Sequence, residues 1–114
     1  TDWQGRRHVS LQLRFRRLAE ADIDASFLYI CSDNSDAAFR FLDAIQRTAD
    51  ILCEIPDMGI IWEFADSRIP TTRVCPVRGF RNYLVFYQTV GDAIDIVRVL
   101  HGSRDIEAVF SSEP

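Results

Sequence analysis

The sequence predicts an α+β domain in which a helical hairpin packs on one face of an antiparallel sheet. Three patterns in the 114 residues lead to this prediction. Residues 9–16 alternate strictly between apolar and polar side chains, which is the period of a half-buried strand. Residues 18–54 have helical periodicity, and residues 72–100 are β-branched and aromatic runs joined by short turns. The predicted order is an N-terminal strand, two antiparallel helices and a three-strand antiparallel meander.

The first two elements are separated by a change of period. Along the N-terminal strand, one face carries the apolar residues Val9, Leu11, Leu13 and Phe15. The first helix is predicted over residues 18–31 because its apolar side chains fall on one stripe. Glu20 and Asp22 lie in its first turn, where their charges suit the helix dipole.

The second helix has the clearest pattern in the chain. It follows the breakers at residues 32–35 and ends before Pro56. Its apolar stripe recurs at intervals of four and three residues: Ala38, Leu42, Ile45, Ala49 and Leu52. On the opposite face, the spacing of Asp36 from Arg40 and of Asp43 from Arg47 favours ion pairs along the helix.

The second half of the chain is predicted to be rich in strands. Residues 56–59 form a turn, and the apolar residues 60–64 fit either a short strand or a loop packed on the core. Strands are predicted at residues 72–77, 82–89 and 93–100. Residues 103–110 are predicted to form a short closing helix, with Ser103 as its cap.

Composition excludes several classes of protein. A net charge of −4 and a pI near 5.0 argue against a general nucleic-acid binder. No apolar run approaches the roughly 20 residues that a membrane-spanning helix needs, and residues 6–16 do not form a secretory signal. The three cysteines fit neither a disulfide framework nor a zinc site. We therefore expect a cytoplasmic protein without metal or cofactor.

Short blocks along the chain carry a resemblance to a known family. The N-terminal blocks are residues 19–23, 29–30, 38–39, 41–45, 52, 55–56 and 58–59, and the C-terminal ones are Arg78 and residues 82–87, 94 and 96–106. From about Phe15 to Phe110 the chain resembles the ParE/RelE superfamily of bacterial type II toxin–antitoxin systems. Its C-terminal block is closest to the ParE branch.

The resemblance implies a RelE/ParE-like fold and a toxin function. A ParE-like toxin is neutralised by a cognate ParD-like antitoxin, inhibits DNA gyrase when free, is not an enzyme, and is associated with plasmid stabilisation. No membrane partner and no direct nucleic-acid binding by the toxin alone are expected. The toxin domain is predicted at residues 9–110, after a flexible segment at residues 1–8 and before a tail at residues 111–114.

Two other functions remain open for this fold. A RelE-like endoribonuclease would cleave mRNA on the ribosome, using cations and an acid–base group, which here would be Arg78, Arg81, His101 and Arg104. His101 fits that role by residue type, but it also fits a local hydrogen bond at the end of a strand. The other alternative is a non-toxic protein-interaction module.

The residues predicted to bind antitoxin or target are aromatic or cationic: Trp62, Phe64, Arg73, Arg78, Phe80, Arg81 and Arg104. The aromatic side chains can line an apolar groove for a partner segment or fill the core. The arginines can form a positive patch for an acidic segment, or can pair separately with Asp92, Asp95 and Asp105. Arg98, in the middle of a strand, is predicted to be structurally paired.

Overall fold

The chain is described between residues 10 and 112 by a computed structural model. In chain order its elements are β1 (Gln12–Phe15), α1 (Arg17–Cys31), α2 (Ser35–Glu54), β2 (Ile60–Trp62), β3 (Thr72–Val77), β4 (Phe80–Val90), β5 (Ala93–His101) and α3 (Ile106–Ser111). The predicted α+β order is confirmed. The predicted flexible segment 1–8 lies outside the described residues, as does the end of the predicted tail after residue 112.

The strands form one sheet in the order β1-β5-β4-β3-β2. Strands β3, β4 and β5 make the predicted antiparallel meander. Residues 60–62 add a short antiparallel edge strand, β2, which resolves the open prediction for that stretch. Strand β1 is shorter than predicted and pairs in parallel with β5, from Gln12 beside Ala93 to Phe15 beside Ile96. The chain between β1 and β5 contains both long helices and the other three strands, which is ample length for a parallel neighbour.

Apolar side chains fill both faces of the sheet. On the helical face, the largest buried rings are Phe41 of α2 and Tyr87 of β4, and Leu13 and Phe15 pack against the same core. On the second face, Phe86 and Val97 pack against α3 through Phe110. The central strands are therefore buried on both sides, which is the reason that β4 contains a continuous apolar run.

Side-chain caps define where α2 and α3 begin. The Asn34 side chain accepts a 3.0 Å hydrogen bond from the Ala37 N–H at the start of α2. Helix α3 begins later than predicted, at Ile106, and its cap is Asp105 rather than Ser103. Asp105 accepts a 3.1 Å hydrogen bond from the Ala108 N–H, so a carboxylate satisfies the free backbone donor.

On α2, Asp36 does not form an ion pair with Arg40, nor Asp43 with Arg47, within residues 10–112. The spacing therefore correctly predicts which residues share the exposed face of α2, but it does not predict the contacts among them. Exposed pairs of this kind gain at most about 0.5 kcal/mol, which side-chain entropy offsets.

No helix in the described part of the chain is long and apolar enough to cross a membrane.

A change of register in the β4–β5 pair directs side chains of β5. Phe86 lies opposite Arg98, whereas Tyr87 lies opposite Ile96, so Val97 is an additional residue on β5. Such a bulge interrupts the alternation of faces. Val97 packs on the second face and Val99 in the main core, while the Arg98 guanidinium reaches Asp22 of α1.

The loop between α2 and β2 is fixed by the buried Tyr87 hydroxyl. This hydroxyl donates to the Pro56 carbonyl at 2.7 Å and accepts from the Gly59 N–H at 2.9 Å. A Cβ at residue 59 would lie only 2.7 Å from the Tyr87 oxygen and 2.8 Å from the Val74 carbonyl oxygen. The close approach therefore requires glycine. Burial raises the pKa of Tyr87, which keeps its hydroxyl neutral and able to donate.

Candidate partner-binding surfaces

The fold distributes the predicted site residues over three places. One end of the sheet, where β4 begins and β5 ends, carries Arg78, Phe80, Arg81, His101 and Arg104. Arg73 lies on β3 beside the β2 edge. Trp62 and Phe64 lie on the second face near α3. The first group opens onto two separate clefts, one on the outer side of each long helix.

The cleft beside α1 has a volume of about 410 Å³ and contains His101 and Arg104. It exists because β1 pairs with β5 only as far as Ile96, which leaves the last part of the β5 edge without a neighbouring strand among residues 10–112. Helix α1 covers that edge, and Tyr29 of α1 faces Tyr83 of β4 across the cleft.

Asp22 connects α1 to the open β5 edge. Its carboxylate accepts hydrogen bonds from Arg98 Nε at 2.7 Å, from Arg98 Nη2 at 2.8 Å and from the Val99 N–H at 3.0 Å. The side chains of Asp22 and Arg98 are each only 12% exposed. The predicted structural pairing of Arg98 is thus confirmed, and its partner is an acid that the sequence analysis had assigned only to the helix dipole.

His101 makes local contacts. Its Nδ1 accepts a 3.1 Å hydrogen bond from the Ser103 N–H and lies 2.8 Å from Ser103 Oγ. Because Nδ1 accepts, the neutral ring carries its proton on Nε2. The ring also packs edge-on against Tyr83, with centroids 5.1 Å apart. These contacts match the interpretation of His101 as the end of a strand.

The cleft beside α2 has a volume of about 430 Å³ and is lined by Arg78 and Phe80 together with Arg40, Asp43, Arg47 and Gly79. Gly79 has a φ of +81° and forms the tight β3–β4 turn, so β4 starts two residues earlier than predicted. The Arg78 N–H donates to Thr48 Oγ1 at 3.1 Å, which holds this turn against α2.

The four residues of the nuclease alternative do not share one cleft. His101 and Arg104 line the cleft beside α1, whereas Arg78 lines the cleft beside α2. Arg81 is exposed and lines neither of these two clefts. The Tyr83 ring lies between the two sides, 4.9 Å from the Phe41 ring and 5.1 Å from the His101 ring.

Arg73 and the three aromatic side chains have structural contacts. Arg73 Nη1 donates to the Gly59 carbonyl at 2.7 Å, which supports the loop that Tyr87 holds. Trp62 and Phe64 are half-buried in the second core, where their rings contact Phe86 and Phe110 respectively. Phe80 packs on Phe41 in the main core. For these aromatic residues the geometry matches the core-filling interpretation.

The predicted pairing of arginines with Asp92, Asp95 and Asp105 is not what the structure contains. Asp95 instead binds Arg14 of β1, through Nε at 2.8 Å, and Arg16 just after β1, through Nη2 at 3.1 Å. Desolvation of Asp95 opposes ionisation, but the two guanidinium groups outweigh it and lower the pKa of Asp95. The sequence does not predict this pairing, because Asp95 lies far along the chain from both arginines and meets them only through the parallel pairing of β1 with β5.

Between residues 10 and 112 the side chains do not assemble a metal site or a reactive thiol site. No group of three or more His, Cys, Asp or Glu side chains there is placed to hold a metal ion. Cys31, Cys53 and Cys75 are free thiols. Burial raises the pKa of Cys53 and of Cys75, which disfavours the reactive thiolate form.

A family model described as the ParE toxin of type II toxin–antitoxin systems, parDE, matches residues 13–106. The chain belongs to the ParE toxin family. No curated protein matches the sequence significantly. The fold is similar to a solved structure titled as the chromosomal ParDE TA system from P. aeruginosa, with a TM-score of 0.64 and 19% identity. That similarity covers 81% of this chain and 96% of the other.

In this ParE-family chain, sequence reasoning missed large side chains that are exposed near the turn of the helical hairpin. Three side chains there are largely exposed: Tyr29 (75%), Leu28 (68%) and Phe39 (60%). The Phe39 ring packs edge-on against Phe27 of α1, with centroids 5.1 Å apart. The signal was present in the sequence, because Tyr29 and Phe39 fall off the buried stripes of their helices. We refer to Leu28, Tyr29 and Phe39 as the hairpin tip.

Proposed function

We propose that this chain is a toxin held inactive by a cognate ParD-like antitoxin in the cytoplasm, and that the free toxin inhibits DNA gyrase by binding rather than by catalysis. The observation that carries the proposal is the hairpin tip of a ParE-family domain. Large apolar side chains that are exposed in the same part of a domain are typical of protein-interaction surfaces. A partner helix or extended segment that covers them would bury this surface.

The antitoxin part of the proposal has a direct test. The protein encoded by the adjacent gene is co-expressed with the chain, and the affinity of the purified pair is measured by calorimetry. We expect tight binding that Leu28→Ser and Tyr29→Ser weaken. Val90→Ser is the matched control, because Val90 is also exposed but lies at the β4–β5 turn. Equal affinities for all three variants and the wild type would show that the hairpin tip is not part of the interface.

The gyrase part is tested by titrating the antitoxin-free chain into a supercoiling assay. Dose-dependent loss of supercoiling with trapped, cleaved DNA is the expected result. Unchanged supercoiling in the presence of folded protein, as judged by circular dichroism, would refute gyrase as the target. The assay also separates the non-toxic module, which would bind antitoxin and leave gyrase active.

The nuclease alternative retains one favourable observation, because His101 and Arg104 share a cleft with Tyr29 and Tyr83. A histidine, a cation and two hydroxyl groups are the residue types that ribonuclease chemistry uses. Its signature would be arrested translation with cleaved mRNA, abolished by His101→Ala. The occupied Nδ1 of His101 and the placement of Arg78 on another cleft favour the non-catalytic function.

A further inference from the structure

The cleft beside α2 concentrates positive charge on an acidic protein. Arg40, Arg47 and Arg78 all line it, although the chain has a net charge of −4. None of the three guanidinium groups has an ion pair or hydrogen bond within residues 10–112. Other arginines in the same part of the chain are paired, including Arg14, Arg73 and Arg98. We call this site the arginine cleft.

These exposed arginines reach the cleft from two elements of the fold. Arg40 and Arg47 are seven residues apart on α2, which is close to two helical turns, so both point from the same face. That face lies away from the buried stripe of Phe41 and Ile45. Arg78 approaches from the sheet, because its backbone N–H is bound to Thr48 Oγ1.

Three cations in one cleft repel each other unless an anion lies among them. Asp43 also lines the cleft, but it does not form an ion pair with any arginine in the described residues. Arginine side chains bind carboxylate and phosphate groups through two parallel hydrogen bonds. The unpaired cations therefore indicate an anionic ligand.

We propose that the arginine cleft binds an acidic segment of the antitoxin, with Asp or Glu side chains of that segment on Arg40, Arg47 and Arg78. This inference rests on the proposed function. A peptide fits better than a nucleic acid, because a protein with a net charge of −4 repels the continuous charge of a polyphosphate more strongly than the few separate carboxylates of a peptide. The Asp43 carboxylate would also repel phosphates, whereas it can accept hydrogen bonds from peptide N–H groups.

The test compares charge reversals inside and outside the cleft. Arg40→Glu and Arg78→Glu are measured against Arg17→Glu, in which an exposed arginine at the start of α1 undergoes the same change of charge. Affinity for the antitoxin encoded by the adjacent gene is measured by calorimetry at about 0.1 M and about 0.5 M salt. Circular dichroism establishes that each variant is folded, and Arg40→Gln and Arg78→Gln repeat the comparison without an added negative charge.

We expect each cleft reversal to weaken binding about tenfold or more at low salt, with a smaller difference at high salt. Arg17→Glu should stay within about twofold of the wild type. Wild-type affinity in Arg40→Glu and Arg78→Glu would overturn the inference while leaving the proposed function intact. If the wild-type chain does not bind the antitoxin, the proposed function itself fails. If a 20-nucleotide RNA binds through these arginines while the antitoxin is unaffected, the occupant is a nucleic acid and the inference is wrong.

Discussion

Asp22 on α1 and Arg98 on β5 form a two-point ion pair across 76 positions of sequence, with donor–acceptor distances of 2.7 and 2.8 Å. The same carboxylate accepts a hydrogen bond from the Val99 N–H, so one side chain closes a strand edge that no other strand in the described part of the chain covers. A buried N–H without an acceptor is costly. The pair therefore holds α1 against β5, and Asp22 lines the His101 cleft.

Replacing Asp22 should destabilise the chain strongly. Asp22→Ala leaves the Arg98 guanidinium and the Val99 N–H without this acceptor, and we expect a loss of about 3–5 kcal/mol in the free energy of unfolding. The double variant Asp22→Ala/Arg98→Ala should lose less than the sum of the two single variants. Urea unfolding measures all four proteins. Asp24→Ala, an exposed change on the same helix, is the control and should cost less than about 0.5 kcal/mol.

Gly59 should not tolerate a side chain. In Gly59→Ala the new Cβ would meet the Tyr87 oxygen at 2.7 Å, and relieving that overlap should cost about 1–3 kcal/mol. Gly102→Ala is the matched control, because its Cβ would meet the nearest atom, the Asn82 carbonyl oxygen, at 3.5 Å. Thermal unfolding of both variants checks the prediction, and equal melting temperatures would show that the loop moves aside freely.

Substitution by phenylalanine should lower the free energy of unfolding by different amounts at Tyr87 and at Trp62. Tyr87→Phe removes one oxygen but leaves the Pro56 carbonyl and the Gly59 N–H without their partner, and should cost about 1–3 kcal/mol. Trp62→Phe removes more atoms, yet the buried Trp62 Nε1 has no hydrogen-bond partner among residues 10–112. We therefore expect Trp62→Phe to cost less than Tyr87→Phe in urea unfolding. The reverse order would mean that the indole N–H has an acceptor.

Asp95 should make stability depend on acid pH. The pKa of Asp95 is lowered in the folded chain, so its contribution to stability is present above the unfolded pKa of about 3.9 and is lost as pH falls below that value. Asp95→Asn should cost about 1–2 kcal/mol at pH 7, a small figure because Arg14 and Arg16 are half-exposed. The difference from the wild type should shrink as pH falls below about 4. A difference that stays constant on acidification would contradict a lowered pKa of Asp95.

Much of the fold was predictable from local patterns. The stripe of α2 and the alternation around Leu13 depend on periods of 3.6 and 2 residues, which a single sequence displays directly. The stretch at Ile60 was not predictable, because a three-residue edge strand forms only when β3 is beside it. The cap of α3 was misplaced for a similar reason, since both Ser103 and Asp105 are good cap residues and the chain selects Asp105.

The candidate site was less predictable than the fold. Arg78, His101 and Arg104 were singled out by residue type, but only the structure separates them into two clefts. Arg40 and Arg47 were read as members of ion pairs along α2, and they lie instead in the arginine cleft. Residue type indicates which chemistry is available, whereas a cleft depends on which elements meet.

The sequence by itself determined the α+β class, the helical hairpin, the meander and the resemblance to the ParE family, because periodicity and ordered residue blocks are properties of the chain alone. The tertiary structure decided that β1 lies parallel to β5, that Asp22 pairs with Arg98, and that Asp95 pairs with Arg14. These contacts join residues more than 70 positions apart. Such pairings depend on how the helices pack on the sheet, and no local pattern carries that information.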